Sequence, residues 1–316
     1  MNRSAITLDV NDSSAHHAAA PVSILLTPRV LVPLALIGVY LIWGSTYLAI
    51  RIALADFPPF LMGAIRFLIA GVLMFAVLRW RGIAAPTRAQ WANCAVTGTL
   101  LLGFGNGLVC FAEETVASGL AAVAVASMPL FMALWAGMYR QWPSRIETIG
   151  LLVGFAGVVL LNLGGNLRGA PIGALALIVA AAAWAFGSVW SRRRDMPHPA
   201  MSTAAQMLCG SVSLGVIALL TQERVVAVHA ETLLAVGYLI IAGSILGFSA
   251  YVYLLHHVRP ALATSYAYVN PPVAVLIGVV FAGESVRTLD IAGMAVILTG
   301  VAAITLAKAG MVTKVR

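Results

Sequence analysis

Long apolar runs separated by short polar turns make up most of the chain. A helix needs roughly 20 apolar residues to cross a bilayer, and these runs lack the apolar–polar alternation of transmembrane barrel strands. Because only helices and closed barrels can span lipid, the pattern predicts an all-α, polytopic membrane protein. Ten transmembrane helices are predicted, near Val30–Ile50, Phe60–Leu78, Trp91–Ala112, Val116–Tyr139, Ile146–Leu163, Ala170–Trp190, Ala200–Leu220, Thr232–Leu255, Ala261–Phe281 and Leu289–Ala307.

Composition narrows the class of protein further. Of the 316 residues, 61% are hydrophobic and only 9% are charged, whereas soluble domains have about 45–50% apolar and about 25% charged residues. Ten spanning helices leave room only for tails and short turns, so a large extramembrane domain is excluded. The three cysteines, Cys94, Cys110 and Cys209, lie far apart inside apolar runs and offer neither a disulfide framework nor a metal site.

The distribution of positive charge predicts an orientation. The net charge is +8, and 14 of the 19 Lys and Arg residues fall in tails and turns on the side of the N-terminus. Four fall on the opposite side, and Arg66 lies within the second predicted helix. Such an excess marks cytoplasmic loops. We therefore expect a multi-pass protein of the inner (plasma) membrane, with both termini in the cytoplasm, the lipid bilayer as its surroundings and no affinity for nucleic acid.

The two halves of the chain repeat each other at one ungapped offset of 143 residues. Since each half holds five predicted helices, an odd number, the second half must enter the membrane from the opposite side, an arrangement found in secondary transporters. The predicted divisions are a disordered cytoplasmic tail (1–28), a first repeat (29–164), a second repeat (165–308) and a short cytoplasmic tail (309–316). The matched positions are Gly44-Ser45 and Gly187-Ser188, Arg51 and Arg194, Pro129 and Pro272, Gly150 and Gly293, and Gly157 and Gly300.

Short motifs in both halves resemble a known family. They are Leu41–Tyr47, Pro58-Pro59, Arg66-Phe67, Ser118–Ala122, Met128–Leu130, Ala263–Tyr266, Asn270–Val273 and Gly283–Ser285. Their order along the chain is similar to that of the EamA domain of the drug/metabolite transporter superfamily. The resemblance implies a bacterial ten-helix transporter that exports small metabolites, with a central cavity lined mainly by helices 1, 3, 4, 6, 8 and 9.

Several polar and aromatic residues are candidates for the wall of such a cavity. Aromatic surfaces with a few polar groups suit a small amphiphilic solute such as an amino acid. Packing between helices is the alternative for these aromatics, and also for the glycine-rich stretch around Asn106. The candidates are Trp43, Ser45, Tyr47, Asn106, Ser127, Trp184, Ser188, Tyr251, Tyr266 and Asn270.

Charged residues inside the membrane are few, and Arg66 is the most prominent. A charge at the bilayer centre costs roughly 2.5–3.5 kcal/mol on insertion scales, so Arg66 needs a partner or water. Because Glu113 and Glu114 end the third predicted helix on the same side, we predict an ion pair between Arg66 and one of them. A structural role and a contact with substrate are both open for this arginine.

Prolines interrupt two of the predicted helices. Pro129, Pro271 and Pro272 lie within apolar runs, where each removes a backbone hydrogen bond and favours a kink. The kinks are either static or hinges that rock to open and close the cavity.

The predicted function is secondary transport by alternating access, most simply the export of small metabolites such as amino acids. No P-loop, no cofactor site and no catalytic motif is found, so we expect neither an enzyme nor a metal, and proton coupling and facilitated diffusion stay open. A monomer is compatible with the sequence. The alternatives are an intramembrane enzyme, for which Ser244 and His256 are the one conceivable dyad, and a structural or channel protein.

Overall fold

The computed structural model describes residues 27–115, 125–162, 171–225, 227–282 and 288–312. These residues form helices and turns, with no strand among them. One short helical turn spans Pro260–Ala263. The helices are α1 (Pro28–Ala53), α2 (Pro59–Trp80), α3 (Arg88–Glu113), α4 (Met128–Met138), α5 (Arg145–Asn162), α6 (Pro171–Ser191), α7 (Pro199–Leu220), α8 (Ala230–His257), α9 (Tyr266–Ala282) and α10 (Thr288–Val312).

Each predicted segment overlaps one of these helices, so the all-helical class is confirmed. Within the described ranges, six helices (α1, α2, α3, α6, α7 and α8) are long and apolar enough to cross a membrane. Helix α10 continues to Val312, past the predicted start of the C-terminal tail. The motifs Ser118–Ala122 and Gly283–Ser285 and nearly all of the predicted N-terminal tail lie outside the described residues.

Prolines mark where several helices begin. Pro28, Pro59 and Pro199 each occupy the first helical position. Proline fits there because the first amides of a helix have no intrahelical acceptor, and its fixed φ already suits a helix. Proline therefore fixes the first residue of these helices, which the apolar pattern alone predicts only approximately.

Helix α1 shows how the helices distribute their apolar side chains. Leu34, Leu41 and Leu48, spaced seven residues apart, are about half exposed. Val39 and Trp43, on the other side, are buried against neighbouring helices. Since lipid is as apolar as the protein core, both sides carry hydrophobic residues, and the exposed leucines form a surface suited to acyl chains.

Contacts between the two halves hold the bundle together. Helix α1 packs on α8 and α9, and α6 packs on α3 and α4. Helices α2 and α7 pack directly on each other, as do α5 and α10. Thus most of the extensive interfaces join one half of the chain to the other.

The interface between α5 and α10 is built from glycines. A Cβ at Gly150 would lie 2.8 Å from the carbonyl oxygen of Gly300, and one at Gly157 would lie 3.1 Å from that of Gly293. Small residues permit such close backbone approach between helices in membranes. As residue numbers rise along α5 they fall along α10, so these two helices run antiparallel. Helices α2 and α7 also run antiparallel, since Gly63 faces Leu214 and Gly71 faces Leu208.

Polar contacts tie the turns at the two ends of α8. At the start of α8, the buried Asp56 carboxylate accepts hydrogen bonds from the Thr232 hydroxyl (2.6 Å) and the His229 backbone amide (2.8 Å). After α8, the Arg259 Nε atom lies 2.8 Å from an oxygen of Glu147, which is buried at the start of α5. Both ties join one half of the chain to the other.

Candidate functional site: a central cavity

A cavity opens between the two halves of the protein. The empty space within it is about 700 Å³, including the solvent space at its open side. Residues from α1, α2, α3, α4, α6, α8 and α9 contribute to its wall. The lining residues are Trp43, Thr46, Tyr47, Ile50, Arg66, Phe67, Leu102, Gly105, Asn106, Val109, Val125, Met128, Ala180, Ala181, Trp184, Gly243, Phe248, Tyr266 and Asn270.

Aromatic side chains from both halves meet at this cavity. The ring of Trp43 contacts Trp184 edge to face, with centroids 5.5 Å apart, and contacts Tyr266 at 4.6 Å. Edge-to-face pairs of this kind are each worth about 0.5–1.5 kcal/mol beyond their buried area. The Trp43 indole also donates a hydrogen bond to the backbone carbonyl of Gly243 (3.0 Å). The aromatic wall is therefore held in place by packing and by hydrogen bonding.

Two π-helical segments support the tryptophans. Thr99–Asn106 in α3 and Leu239–Phe248 in α8 occupy corresponding places in the two halves. A Cβ at Gly105 would lie 2.6 Å from the Trp184 ring, and one at Gly247 would lie 2.5 Å from the Trp43 indole nitrogen. In each π-helical segment, a glycine thus packs against the tryptophan of the opposite half. π-Helical turns are rare and frequently lie at functional sites.

Arg66 is the charged residue among the described cavity-lining residues, and only 3% of its surface is exposed. Its Nε donates a hydrogen bond to the Ser244 hydroxyl (2.7 Å), which in turn donates to the carbonyl of Leu239 (3.0 Å). The missing side chain of Gly243 leaves room for the guanidinium, since a Cβ there would lie 2.9 Å from Nη2. The arginine is therefore anchored at one nitrogen and directed towards the cavity.

Three lining residues have a buried polar atom without a hydrogen-bond partner in the protein. These atoms are Arg66 Nη1, Trp184 Nε1 and Asn270 Oδ1. Leaving such a group unsatisfied costs about 1–3 kcal/mol, and more when it is charged. Two donors and one acceptor at the cavity wall thus lack a hydrogen-bond partner within the protein.

The structure brings six of the ten predicted cavity residues to the cavity wall. They are Trp43, Tyr47, Asn106, Trp184, Tyr266 and Asn270. Sequence reasoning did not name Thr46, Phe67 and Phe248 as lining residues, although Thr46 lies within the motif Leu41–Tyr47 and Phe67 follows Arg66. All six helices expected to line the cavity do so, and α2 joins them through Arg66 and Phe67.

The other four predicted residues lie outside the lining. Ser45 and Ser188 donate to backbone carbonyls of their own helices, Ile42 (2.7 Å) and Trp184 (2.7 Å) respectively, as helical serines commonly do. Tyr251 is fully buried and packs behind the aromatic wall, where its hydroxyl bonds Ser188 at 2.8 Å. Ser127 precedes α4 beside Met128, and only Met128 lines the cavity.

The predicted ion pair is not formed in this structure. Within the described residues, neither Glu113 nor Glu114 lies within ion-pairing distance of Arg66. Ser244 satisfies part of the guanidinium instead, and Glu113 retains a buried oxygen without a partner. A neutral serine far away in the sequence is not recognisable as a partner for an arginine, whereas the two nearby glutamates are. The sequence therefore favoured the glutamates.

The predicted hinge prolines differ in their settings. Pro271 and Pro272 lie inside α9, as expected. Pro129 instead lies in the first turn of α4, after a turn at Ala126-Ser127. It therefore begins a helix, where its missing amide costs little, rather than kinking a continuous one.

No cluster of three His, Cys, Asp or Glu side chains that could hold a metal occurs in the part of the chain that the structure describes. The conceivable Ser244–His256 dyad does not form. The two residues lie on one helix twelve positions apart, which corresponds to about 18 Å at 1.5 Å per residue.

Comparison with known proteins agrees with this architecture. The model of the EamA-like transporter family matches residues 31–163 and again 171–306. A relative in Escherichia coli (strain K12), the "Uncharacterized inner membrane transporter YedA", is 43% identical over 284 residues, which cover 89% of this chain and 93% of the relative. A solved crystal structure superposes with a TM-score of 0.73 at 25% identity, covering 87% of this chain and 98% of that one.

A further relative is named for a class of solute. The "Probable amino-acid metabolite efflux pump" of Salmonella typhimurium is 25% identical over 285 residues, covering 83% of this chain and 90% of the relative. These relatives are named as transporters and not as enzymes, so the enzyme alternative is set aside. With two matches that together span most of its length, the chain belongs to the EamA-like transporter family.

Proposed function

We propose that this transporter exports small metabolites such as amino acids across the inner membrane by alternating access through the central cavity. The observation that carries the proposal is the cavity itself. It lies between the two halves, has an aromatic wall from α1, α6 and α9, and contains three buried polar atoms without protein partners. The Salmonella relative named as an amino-acid metabolite efflux pump supports the solute class.

The proposed architecture is ten transmembrane helices arranged as two inverted repeats. Antiparallel packing of α5 on α10 supports it, because corresponding helices of inverted repeats must run in opposite directions. The sequence repeat matches Gly150 with Gly293 and Gly157 with Gly300. In the structure the contacts are crossed: Gly150 contacts Gly300, and Gly157 contacts Gly293. Such an exchange is the signature of a two-fold relation. Two similar halves give two similar packings, one open to each side of the membrane.

Contacts between turns support the proposed orientation. Residues assigned to the same side of the membrane meet: Gln90, in the first turn of α3, donates to Asp195, after α6 (3.1 Å), and Arg193 donates to the carbonyl of Tyr139 (3.1 Å). The excess of Lys and Arg assigns this side, and both termini, to the cytoplasm. The Escherichia coli relative, named as an inner membrane transporter, supports the location.

Alternating access needs contacts that break on one side at a time. The Asp56–Thr232 hydrogen bond at the start of α8 and the Glu147–Arg259 ion pair just after its end lie at opposite ends of one helix. Each joins the two halves, so each is suited to closing one entrance. A monomer is sufficient for this mechanism because both halves belong to one chain.

Reconstitution into proteoliposomes tests the proposal. We expect purified protein to catalyse flux of one or more of the twenty standard amino acids above protein-free vesicles. Flux without a pH gradient would identify facilitated transport, and flux that requires a gradient would identify proton coupling. No flux for any amino acid, amine or sugar in the panel would overturn the proposed function.

A further inference from the structure

We propose that Arg66 binds a carboxylate of the transported metabolite, and that the substrates are small acids with a hydrogen-bond donor that pairs with Asn270. The inference rests on the proposed function and adds the chemistry by which the cavity selects its solute. In this proposal, the unpartnered atoms of Arg66 and Asn270 bind the two ends of one solute molecule.

The guanidinium is presented as a fixed binding group. Ser244 holds Nε at 2.7 Å, and Gly243 leaves space beside Nη2. The Arg66 guanidinium carbon also lies 4.8 Å from the centre of the Phe67 ring. With one nitrogen anchored, the remaining edge of the guanidinium can meet a carboxylate through Nη1, which is buried and has no partner in the protein. Arginine binds carboxylates with a planar, directional fork.

Charge balance favours an anion at this position. The described lining residues include one cation, Arg66, and no Asp or Glu. A buried charge without a counter-charge is costly unless it is paired and hydrogen-bonded. A carboxylate supplied by the solute would provide the counter-charge that Glu113 and Glu114 do not provide here. An empty cavity would leave Arg66 to water, so the substrate itself contributes to the stability of the loaded state.

The rest of the cavity suits the other end of an amino or hydroxy acid. Asn270 presents Oδ1, an acceptor without a partner, and the Tyr47 side chain lies beside it. Trp43 and Tyr266 add ring surfaces to the same wall. Such rings attract a cationic ammonium group and also accommodate apolar side chains. A solute with a carboxylate and a nearby donor would thus satisfy both buried groups at once.

Matched solutes and variants test the assignment in proteoliposomes. For the amino acid transported fastest by the wild type, its primary amide and its deaminated acid are compared. We expect the wild type to prefer the amino acid to the amide by at least about tenfold. The deaminated acid should be transported, but less well than the amino acid, because it leaves Asn270 unpartnered.

Changes at Arg66 should remove the preference. Arg66→Gln should lower amino-acid transport about 10- to 100-fold and leave little difference between the acid and the amide. Arg66→Lys, which keeps the charge but not the fork, should retain part of the preference and guards against misfolding of the glutamine variant. Gln206→Leu is the matched control, since it removes another buried polar group with an unpartnered oxygen, outside the cavity lining, and should keep the wild-type ratio.

The outcomes separate this inference from the proposed function. If the wild type transports the amide as well as the acid, or if both Arg66 variants keep the wild-type ratio, the assignment of Arg66 is overturned while transport stands. If the wild type transports only amines or sugars, the assignment of Arg66 is likewise overturned while transport stands. If it transports no amino acid, amine or sugar in the panel, the proposed function itself has failed.

Discussion

Asp56 shows how one buried carboxylate connects distant parts of the chain. It lies in the turn between α1 and α2 and is only 5% exposed, yet it accepts hydrogen bonds from Thr232 and from the amide and ring of His229. The Thr232 hydroxyl above all, and then the His229 amide, hold the pKa of Asp56 below its usual value. The ionised form of Asp56 therefore stabilises the folded state.

We predict that Asp56→Asn lowers the melting temperature of the detergent-solubilised protein by several degrees at pH 7. Because the folded-state pKa is depressed, this stabilisation is present above the unfolded value of about 4 and is lost as the pH falls through the folded pKa. The gap between wild type and variant should therefore shrink as the pH falls below about 4. Thermal unfolding followed over this pH range measures it.

A control variant separates the buried carboxylate from a general effect of charge. Glu231, an exposed acid in the first turn of α8, makes none of these hydrogen bonds, so Glu231→Gln should change the melting temperature little. An Asp56→Asn gap that stays the same size as the pH is lowered from 7 until the wild type unfolds by acid would contradict the assigned role of the carboxylate.

At the scale of the element, the π-helical segments of α3 and α8 are the most informative. Three glycines within Gly103–Gly107 indicate a loosened helix with close approach of a neighbour, and Gly105 does approach Trp184. The corresponding segment of α8 carries Gly243 and Gly247, too far apart to give the same signal. The sequence therefore indicated the π-helical segment of α3 but not the corresponding segment of α8, although both pack against the aromatic wall.

We predict that Gly247→Ala disturbs the cavity, because the new Cβ would lie 2.5 Å from the Trp43 indole nitrogen. Overpacking of this kind costs about 1–3 kcal/mol, and a displaced Trp43 would lose its hydrogen bond to Gly243. Lower thermal stability and slower amino-acid flux in proteoliposomes are the expected results.

Gly237→Ala provides the comparison on the same helix. A Cβ at Gly237 meets no atom within 4 Å, and alanine is the better helix former by about 1 kcal/mol. This variant should therefore be neutral or slightly stabilising. Equal thermal stability and equal flux for the two alanine variants would show that the packing of Trp43 against Gly247 does not matter for transport.

At the scale of the whole molecule, pairing between halves dominates. Helices α2 and α7, and α5 and α10, are partners across the repeat and pack antiparallel. The proposed inverted topology follows from this pairing together with the placement of Lys and Arg. It makes a prediction about the sides on which individual turns lie.

We predict that alkaline phosphatase is inactive when fused at Trp142 or at the C-terminus and active when fused at Arg224, because the enzyme folds only outside the cytoplasm. Green fluorescent protein should give the opposite pattern. Activity of phosphatase at both Trp142 and Arg224, or at neither, would be incompatible with the proposed topology. Measurements of enzyme activity and fluorescence in intact cells decide between the arrangements.

The sequence by itself determined the helical class, the approximate helix positions and the family, because an apolar run in lipid has few options other than a helix. It also identified Trp43, Trp184, Tyr266 and Asn270 as residues of the cavity wall. It could not determine which side of each helix faces the cavity, since lipid and core are equally apolar and leave no amphipathic pattern. Only the tertiary structure showed that Arg66 bonds Ser244, that Ser45 and Ser188 lie outside the cavity lining, and that each tryptophan packs on a glycine of the opposite half. These features depend on contacts between residues far apart in the chain, which the order of residues alone does not specify.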